Sequence, residues 1–248
     1  MGAFCWADAA LSQSPSCSVT LFPAGPPAAI LTPMLEPQFT YPIFLGLSGR
    51  RVLVVGGGKV ACRKAEVLAD AGAEVRVVAP ELAAELRRDG RFECIGEPYA
   101  ARHMKGMFLA VAATDDEAVN ARVAADARAA GVLVNVVDRP ALCDFIVPSV
   151  VDRGRLLIAI STGGAAPSLA RKTRERFERE FGPEYAILLD ALAEVRYRYK
   201  SSDLPEATRR KLFERLTEAD IVAAARSGKE ALAKAIDAVI REVVGRSK

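Results

Sequence analysis

The chain has 248 residues, of which 51% are hydrophobic and 26% are charged, a balance typical of a globular protein with one large domain or two small ones. Lys and Arg number 34 and Asp and Glu 31, so the net charge is only +3. We therefore expect no nucleic-acid partner that binds through a broad basic surface. No run of about 18 apolar residues is unbroken, which excludes a membrane-spanning helix and predicts no membrane partner.

The five cysteines are spread along the chain and form no C-x-x-C pair. An odd and scattered set predicts neither a disulfide framework nor a zinc site. The chain has one histidine, His103, in a charged stretch that predicts a solvated helix, so we predict no bound metal. Unpaired cysteines are typical of a reducing compartment, and we expect a cytoplasmic protein.

The first segment differs in composition from the rest of the chain. Ahead of Leu35 it holds one charged residue, Asp8, and no Lys or Arg occurs before Arg50. Two interpretations stay open, a disordered extension that begins at Met1 or a true start at Met34. In both cases residues 1–38 lie outside the predicted fold.

From Arg50 onward, short apolar runs alternate with segments of helical pattern. The predicted strands are 51–55, 74–78, 92–95, 107–113 and 132–137. The predicted helices between them are 60–71, 81–88 and 115–130. Nearly continuous apolar strands between helices indicate a parallel sheet that is covered on both faces. We therefore predict an α/β fold with a Rossmann-type domain at 39–144.

The pattern changes after Asp138. Two apolar runs, 145–151 and 155–161, are joined by 152–154 and predict a β-hairpin. A hairpin is marginal alone in water, so we expect it to pair with its copy in a homodimer. We predict a dimerisation segment at 145–181, with a charged helix at 166–181, and a helical C-terminal domain at 182–248.

A glycine motif follows the first predicted strand. Gly56, Gly57 and Gly58, then Lys59, Val60 and Ala61, match G-x-G-x-x-G/A. In a strand-to-helix turn this motif predicts a dinucleotide site. Gly56 permits the tight turn, Gly58 lets a pyrophosphate approach, and Ala61 keeps the helix close to the sheet. The alternative is a tight turn without a ligand.

Two later strand ends add to this site. The acidic residue that reads the adenosine ribose is expected about 20 residues after the glycines, where Glu81 follows Pro80. No Arg follows immediately to hold a 2′-phosphate, which favours NAD over NADP. Thr114 lies at the end of another strand, and its spacing from Glu117 predicts a capping box.

Five segments carry a resemblance to a known family. They are YPIFLGLSGRRVLVVGGGKVACRKA (41–65), AATDD (112–116), VNVVD (134–138), FIVPS (145–149) and STGGAAP (161–167). In this order and spacing they resemble the sirohaem synthase dehydrogenase/chelatase family. The resemblance implies a precorrin-2 dehydrogenase, which oxidises precorrin-2 to sirohydrochlorin with NAD⁺. In some members the same protein also inserts Fe²⁺.

The resemblance also implies roles for individual residues. It makes Asp138 the catalytic residue, places Lys59 and Val60 on the cofactor, and places Pro80 and Glu81 near its adenosine. The implied substrate contacts are Asn135, Ser161, Thr162, Gly163 and Gly164. The choice between Fe²⁺ and Co²⁺, and between sirohaem and cobalamin as the end product, stays open.

The position of Asp138 agrees with that role. It follows an apolar strand, at the sheet edge where the nicotinamide is expected, and a carboxylate there can accept the proton that a dehydrogenation releases. The alternative for Asp138 is a loop residue that caps the turn before Pro140. The alternative for the whole chain is a non-enzymatic NAD(H)-sensing module, which would need a DNA-binding or channel-gating segment that the sequence does not suggest.

Overall fold

A computed structural model describes residues 41–245. The predicted extension 1–38, and with it the choice between Met1 and Met34, lies outside the described residues. No helix within the described range is both long and apolar enough to cross a membrane.

Five parallel strands form the central sheet. They are β1 (Arg51–Val55), β2 (Glu74–Val78), β3 (Phe92–Ile95), β4 (Leu109–Ala112) and β5 (Leu133–Val136). Their order is β3-β2-β1-β4-β5, so the direction of winding reverses between β1 and β4. The register aligns Val55 with Val78 and with Ala112, and Ala112 with Val136. Four strands therefore end level at the reversal, which is where ligands of open α/β sheets bind.

Helices cover both faces of this sheet. They are α1 (Lys59–Asp70), α2 (Ala84–Arg88) and α3 (Glu117–Ala129). Ala61 and Ala65 of α1 pack with Val52 and Val54 on one face. Leu53 and Val55, the alternate residues of β1, pack with α3 on the other face. The apolar residues of β1 are buried on both faces, as the unbroken apolar pattern predicted.

The connection from β3 to β4 buries the one histidine of the chain. A short 3₁₀-helix (Ala101–Met104) places His103 in the interior, 4% exposed, so the prediction of a solvated helix is wrong. The Ala100 N–H donates to Nδ1 at 3.1 Å, so Nε2 carries the proton and donates to Glu97 at 2.6 Å. Hydrogen bonds from His103 and then Arg102 hold the pKa of Glu97 below its usual range.

A hairpin and five helices follow the sheet. The hairpin strands are β6 (Ser149–Arg153) and β7 (Leu156–Ile160), and the helices are α4 (Pro167–Glu180), α5 (Glu184–Lys200), α6 (Glu206–Arg215), α7 (Ala219–Arg226) and α8 (Lys229–Val244). The turn is Gly154 and Arg155, so it starts two residues later than predicted, with Gly154 at φ 69°. Helices α5 to α8 enclose a separate apolar core around Leu212, Leu216 and Ile221.

The predicted fold class is confirmed in its three parts: a Rossmann-type parallel sheet, a β-hairpin and a helical C-terminal region. The boundaries 39–144, 145–181 and 182–248 stay a prediction. Strand β3 has the predicted bounds, while the hairpin strands begin later than predicted because Phe145 to Pro148 run outside the ladder. Helix α2 begins three residues after the predicted Glu81.

The start of α3 corrects one prediction. The helix begins at Glu117, and the capping residue is Asp116, whose Oδ1 accepts from the Ala118 N–H at 2.8 Å and the Val119 N–H at 3.1 Å. The predicted capping box of Thr114 and Glu117 is therefore wrong. Thr114 lies two residues earlier, where its Oγ1 accepts from the Asp116 N–H at 3.2 Å.

This cap can be tested by its effect on stability. Asp116→Ala leaves two N–H groups at the start of α3 without their side-chain acceptor, and we expect the free energy of unfolding to fall by about 1 kcal/mol. Urea unfolding followed by circular dichroism measures this loss. Asp115→Ala is the matched control, because Asp115 is adjacent and exposed, and an equal loss in both variants would contradict the assignment of the cap.

Candidate active site

The glycine turn begins at a position that only glycine can occupy. Gly56 follows β1 with φ 134°, and its N–H donates to the Val78 carbonyl at 3.0 Å. A Cβ at this position would overlap the Ala113 carbonyl oxygen. The turn is therefore packed between the loops that follow β2 and β4, since it contacts residues of both.

The next two glycines differ in their surroundings. A Cβ at Gly57 would overlap the Glu81 carbonyl oxygen, and the Gly57 carbonyl accepts from the Ala83 N–H at 2.9 Å. Nothing lies within 4 Å of a Cβ built on Gly58. The open side of Gly58 is where a bulky anion can approach the backbone, as the sequence predicted for this position.

Helix α1 starts directly behind this opening. Its N-cap residue Gly58 forms no side-chain cap, and its first turn contains no acidic residue. The first N–H groups of a helix have no partner within the helix, and its dipole favours negative charge there. The turn and the helix together form an anion site of the kind that holds a pyrophosphate.

A cavity of about 600 Å³ opens at this end of the sheet. It is lined by all eight residues that were predicted to bind the cofactor, namely Gly56, Gly57, Gly58, Lys59, Val60, Pro80, Glu81 and Thr114. Ala79, Ala113 and Asp115 also line it and were missed. Each of these three lies within three residues of a strand end, so the strand pattern was the signal that could have found them.

Thr114 is held by a residue that sequence reasoning missed. Its Oγ1 lies 2.9 Å from Oδ1 of Asn120, and the Asn120 Nδ2 donates to the Thr114 carbonyl at 2.8 Å. Asn120 is buried, so this amide fixes the loop after β4 from inside α3. A polar residue on the buried stripe of a helix is the pattern that marks such a role.

Asp138 follows β5 in an unusual backbone conformation. Its φ is 59°, and it is the one non-glycine residue with a positive φ within 41–245. It is the third residue of a turn that is closed by the Arg139 N–H and the Val136 carbonyl at 3.2 Å. Glycine is favoured at such a position, and an Asp held there is a strained residue of the kind found at functional sites.

The turn at Asp138 lies beside the other strand ends. The Val137 N–H donates to the Ala112 carbonyl at 2.9 Å, and the Ala113 N–H to the Val55 carbonyl at 2.8 Å. Hydrogen bonds therefore link the end of β5 to that of β4, and the end of β4 to that of β1, across the sheet edge. The carboxylate of Asp138 is exposed at this edge.

Lys64 is a second residue that sequence reasoning missed. It is half-buried on α1, between the inward-facing Ala61 and Ala65. Burial, and then the charge of Arg63, lower the pKa of Lys64, whereas the negative charge of Asp138 raises it. A lysine on the apolar stripe of a helix was the sequence signal for this position.

The predicted substrate contacts fall in two places. Asn135 is buried in β5, and its Nδ2 donates to the Phe145 carbonyl at 2.9 Å, so its amide nitrogen is committed within the protein. Its role toward a substrate stays a prediction.

The other four predicted contacts form the loop between β7 and α4. The Ser161 Oγ accepts from the Gly163 N–H at 3.1 Å, and the Thr162 Oγ1 accepts from the Ala166 N–H at 3.3 Å. Gly163 and Gly164 have φ of 60° and 83°. This loop ends at the N-terminus of α4 and is separate from the residues that line the nucleotide cavity; its contact with substrate stays a prediction.

No metal centre is formed by the part of the chain that the structure describes. Its His, Cys, Asp and Glu side chains contain no group of three or more that could hold a metal ion. Cys62, Cys94 and Cys143 are free thiols.

Two segments of the chain match models of known protein families. Residues 43–149 match the family model for putative NAD(P)-binding domains, and residues 153–180 match the model for the central part of sirohaem biosynthesis proteins. The chain is 49% identical over 175 residues to a siroheme synthase of Azotobacter vinelandii and 44% identical over 196 residues to one of Stutzerimonas stutzeri.

These alignments cover 69% and 78% of this chain but 38% and 42% of the two synthases, so the chain spans about two fifths of the length of these relatives. A solved structure of SirC, precorrin-2 dehydrogenase, superposes with a TM-score of 0.65 at 26% identity, covering 80% of this chain and 99% of that one.

The fold and the family model define a Rossmann-type protein with an NAD(P)-binding domain, and the glycine turn lines the cavity at the edge of its sheet. The segment that matches the first model ends, and the segment that matches the second begins, within strand β6 of the hairpin. Both family models and these relatives confirm the resemblance of the sequence motifs to the sirohaem synthase N-terminal family.

The open side of Gly58 leads to a prediction. Gly58→Asp should fold normally, because a Cβ there meets no atom within 4 Å, but its carboxylate would repel a pyrophosphate. We expect the Kd for NAD⁺ to rise at least about tenfold, equal to roughly 1.4 kcal/mol, in isothermal titration calorimetry. Gly90→Asp is the matched control, since Gly90 also meets nothing within 4 Å and lies outside the cavity. Unchanged NAD⁺ binding by Gly58→Asp would show that the turn is not the pyrophosphate site.

Proposed function

We propose that this protein oxidises precorrin-2 to sirohydrochlorin with NAD⁺ in sirohaem biosynthesis. The observation that carries the proposal is the shared sheet edge, where the glycine cavity lies at the ends of β1, β2 and β4 and the strained Asp138 follows β5, the neighbour of β4. The names of its relatives, siroheme synthase and precorrin-2 dehydrogenase, support the same reaction.

The cavity fits a nicotinamide dinucleotide. Gly58 leaves its backbone open and α1 presents unpaired N–H groups, which suits a pyrophosphate. Glu81 lies on the cavity wall at the position of a ribose-binding carboxylate, which favours NAD over NADP. When bound, NAD⁺ supplies the acceptor for a hydride.

Asp138 supplies the other half of the reaction. Oxidation of precorrin-2 removes a hydride, which reduces NAD⁺ to NADH, and a proton, which must be accepted by a base. Asp138 is exposed next to the loops that bind the nucleotide, so its ionised carboxylate can take that proton. Lys64 lies close enough to interact with this carboxylate, because the negative charge of Asp138 raises the pKa of Lys64.

The substrate is a polycarboxylate, and the loop at Ser161 to Gly164 offers a place for one of its carboxylate groups. That loop leads into the N-terminus of α4, whose dipole favours an anion. Arg171 and Lys172 are exposed one turn further along α4. These groups bind negative charge without a role in proton transfer.

Insertion of Fe²⁺ as a second substrate is part of the same proposal. Metal insertion into sirohydrochlorin releases two pyrrole protons, and Asp138 is placed to accept protons at the same edge. Fe²⁺ added after oxidation is complete tests this step separately, because sirohaem formation changes the absorbance spectrum.

We also propose a homodimer that forms through residues 145–165. One face of the hairpin packs against α4 and α5. The opposite face presents Val150 and Leu157, which are 39% and 42% exposed, and Val150 pairs with Ala159 across the strands. An apolar sheet face of this kind is typically covered by a second copy.

The cytoplasm is the proposed compartment, because three free thiols within the described residues suit a reducing environment. The net charge of +3 and the site described above favour a small-molecule substrate over a nucleic acid.

Replacement of Asp138 tests the function directly. Asn retains the shape of the side chain and is tolerated at positive φ, so Asp138→Asn should bind NAD⁺ with little change in Kd. Loss of a general base typically lowers the rate by about 10²–10⁴. Single-turnover oxidation of precorrin-2 under anaerobic conditions measures that rate, with NAD⁺ binding measured separately.

Asp237→Asn is the control, because Asp237 is also an exposed aspartate, lies on α8 outside the cavity and should not be required. Near wild-type oxidation by Asp138→Asn would remove Asp138 from the mechanism. A wild-type protein that binds NAD⁺ and does not oxidise precorrin-2 would contradict the proposed function and favour an NAD(H)-sensing module.

The dimer is tested by charge on the exposed face of the hairpin. We expect wild-type protein to sediment as a dimer at micromolar concentration and Val150→Glu to sediment as a monomer, because a buried unpaired charge is unfavourable in an apolar interface. Val67→Glu is the control, since Val67 is 58% exposed on α1. A wild-type monomer would contradict the proposal.

A further inference from the structure

The thiol of Cys143 bonds to both ends of the turn that contains Asp138. Its Sγ accepts from the Val136 N–H at 3.1 Å and lies 3.2 Å from the Val136 carbonyl oxygen and 3.3 Å from the Arg139 carbonyl oxygen. An S–H group has one proton, so it donates to one of these carbonyls at a time. Val136 and Arg139 are the first and last residues of the turn.

Cys143 reaches this position through the segment that follows the turn. A short 3₁₀-helix (Pro140–Leu142) reverses the chain, and the Cys143 N–H donates to the Pro140 carbonyl at 3.0 Å. The turn and its return are therefore a closed loop, and the thiol bonds across it.

The chain after Cys143 runs along the outer edge of β5. The Asp144 N–H donates to the Val134 carbonyl at 2.8 Å, and the Asp144 Oδ2 accepts from the Val134 N–H at 3.0 Å. The Asn135 Nδ2 donates to the Phe145 carbonyl at 2.9 Å and lies 3.6 Å from the Cys143 Sγ. The segment 143–145 is thus fixed to the sheet, so the thiol has a rigid base.

We propose that Cys143 is a positioning residue for Asp138: its thiol holds the turn in the left-handed conformation that presents the carboxylate to the substrate. This inference rests on the proposed function and adds a residue that acts without touching substrate or cofactor. An Asp with positive φ is strained and persists only where its surroundings fix it. The hydrogen bonds of Cys143 to both ends of the turn hold Asp138 in this conformation.

The thiol acts on rate through geometry. A misplacement of about 1 Å from a change away from the reacting atoms can lower a rate about 10²-fold. Removal of the Cys143 thiol should therefore lower kcat, while KM and NAD⁺ binding change little, because the cavity that binds the nucleotide lies on other strands.

The experiment compares three variants of the full chain in anaerobic precorrin-2 oxidation. We expect Cys143→Ala to lower kcat about 10- to 100-fold, and Cys143→Ser, whose hydroxyl also donates and accepts, to restore most of the rate. Cys94→Ala is the matched control, because the Cys94 thiol also donates to a backbone carbonyl, that of Leu86 at 3.3 Å, at the opposite edge of the sheet. Wild-type kcat in Cys143→Ala would overturn the proposal. If Cys143→Ala does not fold, Cys143→Val fills the space without the hydrogen bonds and takes its place.

A double-mutant cycle separates positioning from a general structural role. If Cys143 acts through Asp138, Cys143→Ala should lower kcat no further in the Asp138→Asn background. An equal fold-loss in both backgrounds would overturn the proposal, since Cys143 would then act independently of the carboxylate.

Amide hydrogen exchange gives a readout that needs no turnover. In Cys143→Ala we expect faster exchange at the Val136 and Arg139 N–H groups and unchanged exchange at Leu53 in β1. Unchanged exchange at Val136 would overturn the positioning role even if precorrin-2 is not the substrate. If the wild-type protein does not oxidise precorrin-2 but Cys143→Ala shows this exchange pattern, only the proposed function is contradicted.

Discussion

The close approach of the glycine turn to two neighbouring loops determines where this protein can bind a ligand. Gly56 lies against the Ala113 carbonyl and Gly57 against the Glu81 carbonyl, so tightly that neither position has room for a Cβ. Because β1 lies between β2 and β4, the turn is held from both sides. The open side of Gly58 is then the remaining direction from which a phosphate can reach the backbone and the start of α1.

At the same sheet edge, the strained backbone of Asp138 is a second constraint on the site. The glycine turn uses residues that suit their backbone conformation, whereas Asp138 occupies a left-handed position that favours glycine. The free energy of that strain is offset by contacts around the turn: the bond between Arg139 and Val136, the bond from Val137 to Ala112, and the thiol of Cys143. Strain held by surrounding hydrogen bonds fixes the direction of one carboxylate.

Much of this architecture could be predicted from the sequence, for physical reasons. Buried parallel strands are apolar on both faces, so the runs at 51–55 and 74–78 and the short run at 92–95 identify β1, β2 and β3 closely. The glycine spacing predicted the cavity at this sheet edge, because Gly56 and Gly57 have no room for a Cβ and Gly58 leaves its backbone open. Residues of these two kinds are recognisable without tertiary information.

The features that escaped prediction depend on tertiary contacts. The N-cap residue of α3 is Asp116 rather than Thr114, because the Thr114 side chain forms a hydrogen bond with the buried Asn120 of the same helix. His103 lies in a charged stretch, yet its ring is buried and bonds to Glu97. The positive φ of Asp138 and the contacts of Cys143 leave no periodic pattern, since they depend on a turn whose two ends meet only in the fold.

The site is therefore built on two kinds of contact, and they carry different information about function. The proposed nucleotide site relies on backbone N–H groups and on the absence of side chains at Gly56, Gly57 and Gly58, so it defines a cofactor but no reaction. The proposed reaction depends on one side chain, the carboxylate at position 138, and on the turn that presents it. A chain with the same glycines and another residue in a relaxed turn at 138 would bind the dinucleotide without a base beside it. The strained turn, rather than the Rossmann sheet, is thus the feature that favours an enzyme over a nucleotide-sensing module.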